Sequence, residues 1–476
     1  MASGDPVASA ADIREVFGRM GMNDSQTVAL IGGGHAFGKA HGACPTGPGP
    51  DPTQDPQNPY PGTCGSGPDK GKGKNAYTSG IEGSWVSNPI VWSNEYFQNL
   101  LKYTWVIGKG PGGALQWHQT NDPNVNLMMM TTDVSLLYDP IYKGLVEHYA
   151  SDLKSLELDF ANAWYVLTTR DMGPVTRCKG KHIPPPQPFQ NPLPPLPDSY
   201  NLIDFQLVAR VISDALHEKN AACSPDMDPE GRADYSALFV TLAWQCASTW
   251  RNTDYTGGCN GAQLRFEPQS TWPNNKGMSS VIDVLERVKK SLSYPENLIS
   301  ISDMIVLAGQ VALDNVLLNM QVNFTGGRVD AVDGGISAKL APRTYYNNSI
   351  IASRDNMKIF GLPPHLWVAL AGRPRSNVQQ LALGYSGSYY VQYPSEFTNE
   401  YFQILLENQW VLNTNKTIVP EYKSVNNKNV FVLESDLALI WDTEFKAIVE
   451  EYATDETWFK TNFAQAWKLL MDADMF

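Results

Sequence analysis

The sequence predicts a mainly α-helical protein with long ordered loops. Apolar residues recur at intervals of three and four, the spacing of a helix with one buried face. Five segments show this pattern: residues 11–22, 202–219, 281–292, 301–317 and 445–452. Strand-like alternation is rare and short. Two proline-rich stretches, residues 45–61 and 184–197, are unsuited to helices or inner strands and therefore predict loops.

Composition fixes the broad class of protein. The chain has 476 residues, 42% apolar and 18% charged, which is enough to bury a large core and excludes a disordered class. Asp and Glu number 49 against 36 Lys and Arg, a net charge of −13, which disfavours binding to the phosphate backbone of nucleic acids. No apolar run reaches the length of a membrane-spanning helix, and the first residues lack the pattern of a secretory signal.

The proline-rich stretches suggest how the chain is organised. Residues 184–197 hold eight prolines in fourteen positions, which indicates an extended connector between units. Residues 45–61 predict a long loop inside the first unit. We therefore expect a first domain at residues 1–175, a linker at 176–199 and a second domain at 200–476.

Internal repeats supply the most informative pattern. Three motifs of the first domain recur in the second: NEYFQNLL at 94–101 as NEYFQILL at 399–406, DVSLLYD at 133–139 as DLALIWD at 436–442, and FANAW at 160–164 as FAQAW at 463–467. Their offsets are 305, 303 and 303, and Val28 matches Val368 at an offset of 340. About 160 residues of helical sequence precede the second copy, whereas almost none precede the first. The chain therefore predicts one whole unit and the back half of another.

A glycine-rich segment, LIGGGHAFGKAH at residues 30–41, carries the sharpest local signal. Its three glycines would let a flat ligand approach the backbone beside His35. The plainer interpretation is a glycine-rich turn followed by an ordinary histidine. A phosphate loop is disfavoured because the spacing GxxxxGK[ST] is absent.

The cysteines leave the compartment open. None of the six forms a CxxC metal motif; Cys44 and Cys64 bracket the first proline-rich loop, and Cys246 and Cys259 bracket another loop. Buried free thiols and disulfides of an oxidising compartment are both consistent with this spacing. The spacing of Cys44 and Cys64, together with glycosylation sequons at residues 323–325 and 415–417, weakly favours an organelle lumen, periplasm or exterior over the cytoplasm.

Several motifs together resemble a known family. RMGMND at 19–24, GGHAFGKAHG at 33–42, TSGIEGSW at 78–85, TTDVSL at 131–136 and RDMGP at 170–174 resemble the proximal half of the catalytic domain of bifunctional catalase-peroxidases, which are class I haem peroxidases. AWQCASTWR at 243–251 and GGCNGA at 257–262 resemble the C-terminal domain of that family, a duplicated peroxidase fold that binds no haem. The resemblance covers nearly the whole chain, lacks the distal half of the catalytic domain, and implies a haem-peroxidase-like helical fold.

The resemblance implies a haem b site in the first domain. His35 would be the axial ligand of the iron. Asp133 would accept a hydrogen bond from the ring N–H of His35, and Trp85 would lie beside the imidazole. A carboxylate on the second ring nitrogen gives the ligand imidazolate character and favours high-valent iron. Taken without the family, Trp85 would be explained by core packing.

Further residues match family positions around that site. Arg170 matches the mobile arginine of the family, and Met20 matches the methionine of its Met-Tyr-Trp covalent adduct, so both join Trp85 and Asp133 as expected catalytic residues. Ser79 matches a serine near a haem propionate. The expected cofactor-binding residues are His35, Gly34, Lys39, His41 and Ser79.

The departures from the family pattern matter equally. Catalysis on the distal side needs an Arg-x-x-Trp-His run, in which histidine accepts the proton of peroxide and arginine stabilises the departing hydroxide. The chain has Thr241, Trp244 and Gln245 in that pattern, and glutamine cannot act as a base near neutral pH. In the second proximal copy Arg375 replaces the histidine, although Asp436 keeps the carboxylate. We therefore expect no haem in the second domain.

Two functions follow as alternatives. The first is a haem subunit that acts on hydrogen peroxide, supplies the proximal haem wall and needs a separate polypeptide for the distal half. The second is a haem-free structural or assembly subunit derived from the same scaffold. A fragment of a longer protein is a third alternative, and an oligomer is possible with each.

Overall fold

The structure is a computed structural model that describes residues 4–40, 81, 83–110, 114–219, 223–314, 323–342, 348–386, 396–414, 420–427 and 429–476. The chain divides into two compact units, Met1–Arg170 and Asp171–Phe476. In the ranges described, no helix combines the length and apolar character that crossing a bilayer requires.

The first unit consists of helices around a small antiparallel sheet. Its elements are α1 (Pro6–Arg19), α2 (Asp24–Gly34), α3 (Glu95–Lys102), β1 (Trp105–Lys109), β2 (Leu115–Gln119), β3 (Met128–Met129), α4 (Thr131–Ser135), α5 (Pro140–Ser151) and α6 (Leu153–Thr169). The strands lie in the order β1-β2-β3, with Ile107 opposite Trp117 and Trp117 opposite Met129.

Capping side chains set the start of the first two helices. Asp5 accepts hydrogen bonds from the backbone N–H groups of Val7 and Ala8, so α1 begins earlier than the predicted residue 11. Asn23 and Gln26 form a reciprocal capping box at the start of α2. These caps orient α2, whose C-terminal end carries the glycine-rich segment.

Gly32 of α2 packs directly against a side chain of α3, which is possible because glycine has no side chain of its own. A Cβ atom added at Gly32 would collide with the ring of Phe97, which is fully buried. Gly32 is therefore required by packing.

We expect Gly32→Ala to destabilise the first unit by about 1–3 kcal/mol because it overpacks this contact. Gly144, in the interior of α5, is the matched control: a Cβ there meets nothing within 4 Å. Gly144→Ala should instead stabilise the chain by about 0.5–1 kcal/mol through better helix propensity. Urea unfolding of the two variants tests this, and equal midpoints would contradict the packing argument.

The second unit is also mainly helical. Its α-helices are α7 (Phe205–Ala215), α8 (Ser236–Ala247), α9 (Met278–Ser291), α10 (Ile301–Asp314), α11 (Ser349–Phe360), α12 (Pro364–Ala371), α13 (Asn377–Ala382), α14 (Glu400–Glu407), α15 (Glu434–Trp441), α16 (Thr443–Thr454) and α17 (Glu456–Met471). Its strands are β4 (Asp226–Met227), β5 (Ala233–Asp234), β6 (Trp410–Leu412), β7 (Tyr422–Ser424) and β8 (Phe431–Val432). The first two strands form a hairpin pair and the last three a sheet in the order β6-β7-β8.

The repeated motifs occupy matching places in the two units. The succession α3-β1-β2-β3-α4-α5-α6 recurs as α14-β6-β7-β8-α15-α16-α17. Asn94 donates from its side chain to the carbonyls of Tyr149 and Ala150. Asn399 makes the equivalent pair of bonds to the carbonyls of residues 452 and 453. An internal duplication accounts for this correspondence and stays a prediction.

The mainly helical fold is confirmed, and each of the five predicted segments contains a helix. The proline-rich residues 184–197 fall within the second unit and form one short 3₁₀ turn, Pro188–Gln190, with no α-helix or strand. The expected loop at residues 45–61 lies outside the described residues.

The cysteine alternatives resolve in part. Cys246 and Cys259 form a disulfide, whereas Cys178 and Cys223 are free thiols. The remaining pair, Cys44 and Cys64, lies outside the part of the chain that the structure describes.

Candidate functional site

The site begins where α2 ends. His35 is the C-terminal cap of α2, and its side chain is 25% exposed. A Cβ added at Gly33, two residues before His35, would collide with Phe160 of α6, so the backbone here is held against that helix. His35 is thus presented from a rigid helix end with part of its ring open to the surroundings.

Two residues from distant parts of the chain fix the ring of His35. Its Nδ1 lies 3.0 Å from Oδ1 of Asp133. Trp85 stacks on the imidazole with ring centroids 4.0 Å apart and an interplanar angle of 8°. Trp85 also donates from Nε1 to the other oxygen of Asp133 at 2.7 Å. One carboxylate therefore orients both rings.

Asp133 is completely buried near the start of α4. Its Oδ1 accepts the hydroxyl of Tyr96 at 2.8 Å, and its Oδ2 accepts the backbone N–H of Met130 at 2.7 Å. Burial opposes ionisation, but the electrostatic interaction with His35 and the hydrogen bonds from His35, Met130 and Tyr96 hold the pKa of Asp133 below its usual value. The carboxylate is consequently ionised at neutral pH.

An ionised Asp133 determines which ring nitrogen of His35 is available. Because a carboxylate only accepts hydrogen bonds, Nδ1 must carry the proton. In the neutral tautomer Nε2 would then carry the lone pair, and among the residues that the structure describes it has no hydrogen bond, so it is the nitrogen that a metal could bind. Burial and the neighbouring charge of Asp133 raise the pKa of the Tyr96 phenol well above its usual value, which keeps Tyr96 a hydrogen-bond donor.

Removing the Tyr96 hydroxyl should weaken the site and the fold together. Tyr96→Phe leaves Asp133 with one donor fewer, and hydrogen bonds to charged groups contribute about 1.5–3 kcal/mol. Tyr401 offers a matched variant, because its hydroxyl donates to Asp436 at the same 2.8 Å. We expect comparable losses in the free energy of unfolding from Tyr96→Phe and Tyr401→Phe, measured by urea titration; no loss in either would contradict this role.

The other predicted residues lie in several places. Met20 is half-buried among the apolar residues of α2 and α6, and Arg170 is exposed and donates to the carbonyl of Arg19 at 3.4 Å. Within the described ranges, no hydrogen bond or ring contact joins either to the His35 cluster. Gly34, directly before His35, is exposed, and Lys39, four residues after His35, is half-buried. His41 and Ser79 lie outside the described residues.

Sequence reasoning missed Tyr96 as a site residue. The signal was present, since Tyr96 belongs to the repeated NEYFQ motif and its counterpart Tyr401 makes the same bond to a carboxylate. An apolar core explains a tyrosine in a helix equally well, so only the structure reveals the function of the hydroxyl.

A row of four aromatic rings begins two residues after His35 and ends in an exposed ring on either side. Phe37 contacts Trp92, Trp92 contacts Phe160, and Phe160 stacks on Trp164, with centroid distances of 5.8, 4.7 and 5.9 Å. Phe37 and Trp164 are 48% and 53% exposed. Trp92 and Phe160 between them are partly buried. Large exposed rings such as Phe37 and Trp164 are candidates for a surface that a partner covers.

The second unit has the same carboxylate with a different partner. Arg375 donates to both oxygens of Asp436, at 2.7 and 3.2 Å, and Tyr401 donates to Oδ1. Burial opposes ionisation of Asp436, but the Arg375 charge and the hydrogen bonds lower its pKa below the usual value. A guanidinium has no lone pair to offer a metal.

Comparison with known proteins agrees with this geometry. The family model described as Peroxidase matches residues 2–152 and 214–455. Catalase-peroxidase 2 of Legionella pneumophila (strain Lens) is 33% identical over 521 residues, covering 99% of this chain and 67% of the relative. Catalase-peroxidase of Leptospira biflexa serovar Patoc (strain Patoc 1 / Ames) is 32% identical, with the same coverages. Catalase-peroxidase of Yersinia pestis (strain Pestoides F) is 34% identical, covering 99% of the chain and 68% of the relative.

These matches define the class of protein. The chain belongs to the peroxidase family. Within that family its sequence is catalase-peroxidase-like along nearly its whole length.

Proposed function

We propose that this chain supplies the proximal wall of a haem site in an enzyme that acts on hydrogen peroxide. The observation that carries the proposal is the set of three side chains at the end of α2: His35 with its Nδ1 on buried Asp133, and Trp85 stacked on its ring. The relatives support it through their name, catalase-peroxidase.

The residues present fit haem b. An axial haem histidine needs an acceptor that holds its second ring nitrogen, and Asp133 does this for His35. Gly34 adds no side chain that would obstruct a planar group, since a Cβ there would meet nothing within 4 Å. Among the described residues no group of three His, Cys, Asp or Glu side chains could hold a bare metal ion. A single protein ligand would suit an iron that is held mainly by a porphyrin.

When bound, haem would supply the redox-active iron at which peroxide is cleaved. The residues of this chain hold and tune its ligand. Asp133 keeps the proton on Nδ1 and thereby directs Nε2 outward, while Tyr96, Trp85 and the N–H of Met130 keep the carboxylate fixed. Trp85 is a candidate to hold an oxidising equivalent because its ring stacks on the ligand at 4.0 Å.

The acid–base chemistry of the distal side needs residues that this sequence does not contain. No Arg-x-x-Trp-His run occurs in it, and the nearest equivalent has Thr241 and Gln245 at the two reacting positions. Glutamine cannot take the first proton of peroxide. We propose that another polypeptide supplies this half and covers the exposed rings of Phe37 and Trp164.

A haem-free structural role is the second candidate. The observation that favours it is the second unit, in which Arg375 occupies the ligand position and pairs fully with Asp436. In that case the first unit would act only by offering its aromatic surface to a partner.

Spectroscopy of the chain purified with its tightly bound partners separates the two. The haem-subunit proposal expects a Soret band in such a preparation and consumption of hydrogen peroxide by it. Native mass measurement of the same sample should show a second polypeptide. Absence of the band, even after haemin is added to the complex, would leave the structural role.

A further inference from the structure

A cleft separate from the His35 site lies within the second unit. Its volume is about 510 Å³, within the range of small-molecule sites. It is lined by residues from α8 and the loop that follows, from α11 and α12, and from residues 339–342. Nothing in the proposed haem chemistry uses this cleft.

Aromatic rings dominate its lining. Four tryptophans and a phenylalanine face it: Trp244, Trp250, Trp272, Trp367 and Phe360. Phe360 contacts both Trp244 and Trp367 in edge-on geometry, with centroids 6.2 and 5.4 Å apart. Trp244, Trp272, Trp367 and Phe360 are only partly buried, so a planar guest in the cleft can contact the exposed parts of these rings.

The charged groups of the cleft have one sign. Arg251 and Lys339 line it, and no carboxylate side chain appears among the lining residues that the structure describes. Lys339 is exposed and makes no ion pair in the described part of the chain. Arg251 is paired on Nη2 with Asp254 at 3.2 Å, but its buried Nε has no hydrogen-bond partner there. In a chain with a net charge of −13, a cleft of this sign favours an anion.

The lining also argues against a second haem. Trp244 and Gln245 match the distal positions of the family, but Gln245 accepts a hydrogen bond from Asn274 at 2.7 Å. The ligand position holds Arg375, which Asp436 binds. A third cation, Arg373, stacks over Trp244 at 3.9 Å and adds to the positive potential.

We propose that this cleft binds a small planar aromatic carboxylate, with its ring among the tryptophans and its carboxylate facing Lys339 and Arg251. The aromatic lining selects a flat ring, and the unpaired ammonium selects the anion. The site is independent of haem in the first unit, so the proposal does not depend on the proposed function.

Calorimetric titration of the full chain with 4-hydroxybenzoate tests the site. We expect one saturable site with a dissociation constant below about 1 mM, corresponding to a binding free energy more favourable than about −4.1 kcal/mol. Phenol lacks the carboxylate and cyclohexanecarboxylate lacks the aromatic ring. Each should bind about tenfold more weakly, a difference of about 1.4 kcal/mol.

Variants locate the binding. Lys339→Gln and Trp272→Leu should each weaken the binding of 4-hydroxybenzoate about tenfold. Two controls should leave this affinity unchanged: Lys446→Gln on the exposed face of α16, and His35→Gly in the first unit. Thermal unfolding midpoints confirm that the variants are folded. Absence of saturable binding by the unmodified chain overturns the proposal, as does binding that neither Lys339→Gln nor Trp272→Leu alters.

Discussion

In the haem-loaded complex that we propose, replacing His35 by glycine should abolish the Soret band, and imidazole added to the buffer should restore it. The substitution removes the nitrogen that we propose as the iron ligand, and free imidazole can enter because the side chain is 25% exposed. Asp133 keeps its bonds to Trp85, Tyr96 and the N–H of Met130, so the pocket remains shaped for the replacement ligand. Peroxide consumption should fall and recover with the band.

Two further variants calibrate this result. Asp133→Asn removes the charged acceptor of the ring proton, and loss of such a second partner typically lowers metal affinity about 10–100-fold. His148→Ala changes a histidine whose Nε2 bonds only Ser155 on the surface of the first unit, and should leave the band unchanged. Persistence of the band in His35→Gly would show that another residue binds the iron.

The repeated motifs explain why much of the fold could be predicted. Two copies of one pattern identify equivalent positions without any other sequence, and the structure places Asp133 and Asp436 in matching networks. Helical periodicity located the helices but not their ends. The start of α1 depends on a single cap, Asp5, which a search for apolar spacing does not detect.

Contacts between distant residues could not be predicted in the same way. The pairing of Cys246 with Cys259 depends on where α8 and its following loop bring the two sulfurs, and spacing alone left it open. The sequence indicated that Arg375 replaces a histidine, but not that its guanidinium binds both oxygens of Asp436. Side-chain networks of this kind follow from tertiary packing, which local motifs and spacing in one sequence do not reveal.

Breaking the Arg375–Asp436 pair should cost more stability than any other single change considered for the second unit. Both side chains are almost fully buried, 8% and 2% exposed. Arg375→Met leaves an unpaired carboxylate in the core, which typically costs about 3–5 kcal/mol. Lys446→Met, which removes an exposed pair with Glu450, should cost at most about 0.5 kcal/mol. Urea unfolding followed by tryptophan fluorescence compares the two variants.

The pH dependence of that loss identifies its cause. In the unmodified chain Asp436 has a lowered pKa, so the stability from the pair is present above the ordinary carboxyl pKa and disappears as pH falls through the lowered value. In Arg375→Met burial dominates and the pKa of Asp436 rises, so the carboxyl accepts a proton at mildly acidic pH and its penalty declines. The loss of unfolding free energy in Arg375→Met should therefore be largest near neutral pH. Combining Arg375→Met with Asp436→Asn should recover most of the lost unfolding free energy, because the amide keeps an acceptor for Tyr401 without a buried charge. A double variant as unstable as Arg375→Met would show that side-chain shape, not charge, determines the loss.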